Sequence, residues 1–164
     1  MKRILLSLIT FLCVASLVGC SEKEKAGDGE FLLGQFGADW KKETFYLVVP
    51  IKWTGDSPIT IKSIELVKNN GNLITYEEDG IEYEVFGADP LKKSGIYGES
   101  NVGDLKNIND LEINGDGKIV LKLSIGDVEK DNERRVKINF TIDGEETEKI
   151  VVWKTLEQLT TENH

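Results

Sequence analysis

Thr44–Trp53, TFYLVVPIKW, decides the fold class of this 164-residue chain. Phe45, Leu47, Val49, Ile51 and Trp53 fall at every second position, so an extended backbone turns all five to one face. Aromatic and β-branched side chains suit such a half-buried pleated surface. Pro50 interrupts the run without a backbone donor, which predicts an edge strand or a bulge at that point.

The same period recurs downstream. Ile59 and Ile61 share one face while Ile64 and Leu66 share the other, and one inserted residue near Ser63 reconciles them. Asn69-Asn70-Gly71 predicts a type I′ hairpin turn with a return strand over Leu73–Tyr76. Asp79-Gly80 predicts another such turn into Ile81–Phe86, where Ile81, Tyr83 and Val85 alternate with Glu82 and Glu84. Ala88–Asp110 is irregular: Asp89-Pro90 starts a short helical turn through Lys93, and a long loop follows. Long loops are often functional, so a binding loop is expected between Lys92 and Asn109. Ile119, Leu121, Leu123 and Ile125 form a further strand.

Arg135–Ile142 and Glu146–Trp153 make the last hairpin, around Asp143-Gly144. A two-residue loop would set Ile138 opposite Lys149. A three-residue loop sets Ile138 opposite Ile150 and Val136 opposite Val152, and cross-strand apolar pairing favours it. Ile150–Trp153 is apolar on both faces, as in a strand inside a sheet. Leu156–Asn163 starts a short helix and then frays. About seven to eight strands, turns roughly every 8–12 residues and little helical periodicity predict an all-β chain, a single β-sandwich over residues 31–157 with a tail at 158–164. The closing pair, VKINFTIDGEE with IVVW, resembles the last two strands of immunoglobulin-like bacterial surface domains. That resemblance covers about 20 residues and implies an immunoglobulin-like architecture rather than a family.

The N-terminus carries a different signal. Met1-Lys2-Arg3 precedes an apolar run, Ile4–Val18, whose helix would span about 22 Å against a hydrocarbon core of about 30 Å. Such a run suits a signal peptide better than a permanent span. It ends in Leu17-Val18-Gly19-Cys20, which resembles the lipobox of bacterial prolipoproteins. The resemblance implies that residues 1–19 are removed as a signal peptide and that the Cys20 thiol carries diacylglycerol. It also implies a place on the extracytoplasmic face of the cell membrane. Two acyl chains on one sulfur meet the two-signal requirement for stable anchoring. Residues 20–30 then form a lipidated, polar tether whose last ten residues reach about 33–36 Å at most.

Removing residues 1–19 takes Lys2 and Arg3 and no acid, so the formal net charge moves from −9 to −11. That charge disfavours nucleic acid and electrostatic adhesion to anionic lipid, and fits a basic partner or a divalent cation. Nucleophilic catalysis lacks its parts: the only histidine is the terminal His164, and Cys13 leaves with the signal. Glu82 and Glu84, on one face of a strand, are the remaining carboxylate pair for a hydrolase, but the alternation with Ile81, Tyr83 and Val85 already explains both as a solvated face. Calcium is the candidate cofactor. Asp110, Glu112, Asn114 and Gly115 match the opening of an EF-hand loop, but Leu121 stands where the bidentate glutamate belongs. A loop site from Asp104, Asp110, Asn114 and Asp116 remains, and the same residue types are ordinary turn formers. Trp40 and Tyr97 are the candidate ligand-binding aromatics. The expected role is a monomeric, non-catalytic module that binds a protein or envelope partner. The alternatives are a small-ligand or calcium-binding module, or an accessory to a transport or cell-wall enzyme.

Overall fold

In the computed structural model, which describes residues 28–162, the alternating run of Thr44–Trp53 becomes the strand β2. Its Phe45, Leu47, Val49, Ile51 and Trp53 all enter the main core. The other strands are β1 (Phe31–Leu33), β3 (Ile59–Lys68), β4 (Ile81–Gly87) and β5 (Gly95–Tyr97), then β6 (Glu112–Ile113), β7 (Asp116–Ile125), β8 (Arg134–Ile142) and β9 (Glu145–Val151). One antiparallel sheet runs β1-β2-β7-β4 with β5 also on β2; the second runs β6-β3-β8-β9. The chain is an all-β sandwich. Phe31 and Trp53 of the first sheet meet Phe140 of the second at centroid distances of 5.2 and 5.3 Å. Across the other side, the Leu66 N–H donates to the Tyr83 hydroxyl at 3.0 Å.

Pro50 produces no bulge, because β2–β7 pairing is continuous through Pro50 and Lys118. On its other flank β2 pairs with β5 through Val48 and with β1 from Ile51 onward, so Pro50 falls in the gap between the two. Its missing donor leaves no partner unsatisfied there. The Pro50 carbonyl accepts from Gly34 N–H at 2.9 Å. Tyr46 and Val48, on the outer face of β2, are buried as well, against Ala88, Val102 and Val120. The segment after β4 therefore lies across the first sheet, held where the Lys118 ammonium donates to the carbonyls of Pro90 and Lys92.

The expected bulge is present, as a register shift between Ile61 and Ser63. Three turn expectations change. Asn69 and Asn70 keep negative φ, and the return strand shrinks to a single bridge between Val67 and Leu73. Asp79-Gly80 ends a short helix, Tyr76–Asp79, whose cap is Thr75 accepting from Glu78 N–H at 3.3 Å. The Asp89-Pro90 turn closes through Lys92 N–H to Asp89 O at 3.0 Å without forming a helix.

The last hairpin takes the two-residue loop, with Asp143 and Gly144 at φ of 51° and 86°, and Ile138 sits opposite Lys149. Local turn chemistry outweighs apolar pairing because β9 is an edge strand. Lys149 reaches along that edge to place its ammonium 5.8 Å from the Trp53 ring. Ile150 and Val152 are 57% and 50% exposed, not enclosed within a sheet. Beyond the short helix Lys154–Glu157 the chain stays packed through Thr161: Leu159 is buried and Thr161 N–H donates to Val128 O at 2.9 Å.

A Cβ on Gly34 would lie 2.6 Å from the Pro50 Cδ, in a ring that cannot rotate away. Gly34→Ala is expected to lower unfolding free energy by about 1–3 kcal/mol through overpacking. Gly37→Ala, in open space, should stay within about 0.5 kcal/mol of the parent when both are compared by urea denaturation.

Candidate binding cleft

The sandwich has two unlike ends. The described chain begins at one of them, where Gly29 abuts Trp53 and Gly55 and the Glu30 N–H donates to Thr54 Oγ1 at 2.7 Å. The β2–β3 and β8–β9 turns close that same end. Strands of ten residues carry the backbone about 33 Å to the opposite end, where β3 finishes at Lys68 and β8 starts at Arg134. There the helix Tyr76–Asp79, the 126–133 connection and the last residues of the described chain enclose a cleft of about 570 Å³.

The helix cap fixes one wall. Asp79 Oδ2 accepts from Thr75 N–H at 3.1 Å, and Oδ1 pairs with Lys68 Nζ at 2.8 Å. The Asp79 side chain is buried, while that of Lys68 is 23% exposed. The Asp79 hydrogen bond holds the Lys68 ammonium above its ordinary pKa of 10.5, against an opposing loss of hydration.

Arg134 forms the floor and is only 3% exposed. One guanidinium nitrogen donates to the carbonyls of Leu159 and Leu156 at 3.2 and 3.4 Å, while Nε has no hydrogen-bond partner. Burial lowers its pKa, and Asp131 and Asp79 oppose that shift. The neighbouring cation is handled differently. Arg135 makes a 2.8 Å ion pair with Glu157, which is also buried. Six acidic side chains line the cleft, Asp79, Asp127, Glu129 and Asp131 among them, against the three cations Lys68, Lys130 and Arg134.

Trp40 lies beside this cleft. It lines an adjoining cavity of about 430 Å³ that shares Lys130 and Glu162 with the first, and it stacks on Phe45 at 5.3 Å. Tyr97 lies elsewhere. It pairs with Tyr46, donates to Lys93 O at 2.8 Å and sits beneath the Lys92 ammonium at 4.3 Å. Phe45 and Tyr46 are consecutive in a strand and face opposite ways, so the first sheet separates Trp40 from Tyr97. The two aromatics do not form one platform. The Lys92–Asn109 segment mainly roofs the apolar outer face, over a cavity of about 330 Å³ floored by Ala88, Val102 and Val120.

Of the calcium candidates, Asp104 lines that outer cavity, Asp110 ends a single 3-10 turn and Asn114 precedes β7. Asp116 faces Lys52 at 3.9 Å. Among the described residues, no group of three or more His, Cys, Asp or Glu side chains is placed to hold a metal ion. Glu84 is paired with Lys122 on the outer face of β4, and Glu82 beside it is exposed, outside the cleft. Cys20, the segments 1–19 and 20–27, and His164 lie outside the described residues. Among the described residues no helix is long and apolar enough to cross a membrane.

Sequence reasoning overlooked the cleft. Thr75 and Glu78 carry the spacing of a helix cap, and Gly126–Glu133 (GDVEKDNE) is a dense charge run. Nothing in the sequence marks Arg134 as buried. The chain matches no protein-family model, no curated protein and no solved structure.

Because the folded pKa of Lys68 is raised, its contribution to stability is complete below the unfolded value and is lost as pH rises through the higher folded value. Unfolding free energy should therefore decline above pH 10.5. Asp79→Asn is expected to cost about 1–3 kcal/mol at neutral pH, between an exposed and a fully buried pair. It should also flatten the alkaline decline when urea unfolding is followed from about pH 9 to 11.5.

Proposed function

We propose that the mature chain is a lipid-anchored, non-catalytic binding domain on the extracytoplasmic face of a bacterial membrane. Cys20 carries the lipid, and the cleft at the far end of the sandwich is its binding end. The observation that carries this reading is the polarity of the domain. Glu30 is fixed to Thr54 at one end, whereas Lys68, Asp79 and Arg134 sit at the other. A tether attached at the first end leaves the cleft facing away from the bilayer. Tether and strands together allow it to stand up to about 70 Å from the lipid surface.

Charge supports the same orientation. A mature net charge of −11, from the loss of Lys2 and Arg3, disfavours lying flat on anionic lipid. The reading as a binder and not a catalyst follows from what the cleft offers: carboxylates, ammonium groups and a guanidinium, with no thiol or imidazole among the described residues that line it. The domain acts as a monomer that captures or positions a component of the cell envelope.

Two measurements test this. In a bacterial host supplied with a clickable fatty acid, the parent protein should take up label and Cys20→Ser should not; label retained by the variant would remove the anchor. In the lipidated protein, a thiol placed at exposed Glu129 or at exposed Glu145 is the only free one. A donor dye at position 129 should transfer less energy to a membrane acceptor than one at 145, and the reverse order would overturn the orientation.

A further inference from the structure

We infer that the distal cleft binds a small zwitterion, a basic α-amino acid of the lysine or arginine type, a proposal that rests on the reading of this cleft as the binding end. Arg134 points to the carboxylate. It is a cation at 3% exposure whose Nε is unpartnered and whose hydrogen bonds go only to two carbonyls. A buried charge without a hydrogen-bonded counter-charge is unfavourable, and a guanidinium donates strong charge-assisted hydrogen bonds to a carboxylate.

Of the other cations here, Lys130 is exposed to solvent and two are already paired. Lys68 is satisfied by Asp79, and Arg135 by Glu157. A plain anion is disfavoured, because six carboxylates against three cations leave the lining net negative. The ligand must therefore bring positive charge too. Asp131 and Glu129, on the connection beside Arg134, are placed to receive ammonium groups. A volume of about 570 Å³ accommodates a molecule of this size within the usual range of small-ligand sites. An α-amino acid with a cationic side chain offers one carboxylate and two cations, the ratio that the lining asks for.

Titration calorimetry and thermal melting of the mature protein with L-lysine, cadaverine and hexanoate test the inference. Cadaverine is lysine without its carboxylate, and hexanoate lacks both amines. Lysine should give a saturable heat and raise the melting temperature, with each of the other two binding at least about tenfold more weakly, since cadaverine loses one charge-assisted contact and hexanoate two. Arg134→Met should abolish the lysine response in a folded protein, and Glu129→Gln with Asp131→Asn should weaken it. The cadaverine comparison reports the carboxylate contact with no substitution, so it decides the matter even where Arg134→Met fails to fold. No saturable heat with lysine, equal binding of cadaverine, or an undiminished response in folded Arg134→Met would overturn the proposal. Fatty-acid labelling and energy transfer are independent of this ligand, so loss of the zwitterion would leave the anchored, outward-facing domain standing.

Discussion

Enclosure of β2 on both faces is the constraint on which the rest of the domain depends. Leu47 and Val49 pack inward and Val48 outward, each with no exposed surface. A strand in this position needs cover on its second face, and the irregular segment 88–106 supplies it. That segment has little regular structure of its own, and it is ordered by what lies beneath it and by Lys118 donating to its carbonyls. The long loop therefore completes the burial of the outer face of β2.

Enclosure also explains how β2 tolerates a proline. Flanked by β5 and β1 in succession, the strand has one short interval without a partner on that side, and Pro50 occupies it. Gly34 completes the arrangement by approaching the ring more closely than any side chain could. The same end gathers the aromatic contacts of Phe31, Trp53 and Phe140 that join the sheets. Buried charge, at Asp79 and Arg134, lies at the opposite end.

Strand positions were legible because they depend on local alternation. β2, β4 and β7 follow from period two alone, and the bulge of β3 follows from its change of phase. The hairpin register was misjudged for a definable reason. Apolar pairing ranks registers well inside a sheet, but nothing in the residues announced that β9 is an edge, where Lys149 opposite Ile138 is acceptable. Asp79-Gly80 was ambiguous in kind, since Gly with positive φ ends helices as readily as it turns hairpins, and Thr75 with Glu78 decided it. The cleft was hidden for a different reason. Its members come from β3, the 76–79 helix, the 126–133 connection and the C-terminal segment, and only the sheet pairing brings Lys68 beside Arg134. Trp40 borders a cavity beside the cleft, whereas Tyr97 lies on the far side of the first sheet.

Arg134 and Arg135 are adjacent in sequence and face opposite sides of β8, yet only one of them has a carboxylate partner. Arg135 reaches Glu157, whose second oxygen is held by Lys154, and that cluster ties the C-terminal helix to the strand. An equivalent partner for Arg134 is geometrically within the means of this fold, since acidic residues surround it on the same cleft. An apolar side chain of similar length would remove the penalty of an unpaired buried charge altogether. Arg134 also ties the C-terminal segment to β8, through the Leu156 and Leu159 carbonyls, but its Nε is left without a partner. A buried cation with an unpartnered Nε, beneath a cleft whose lining is net negative, is what the proposed zwitterionic ligand would answer.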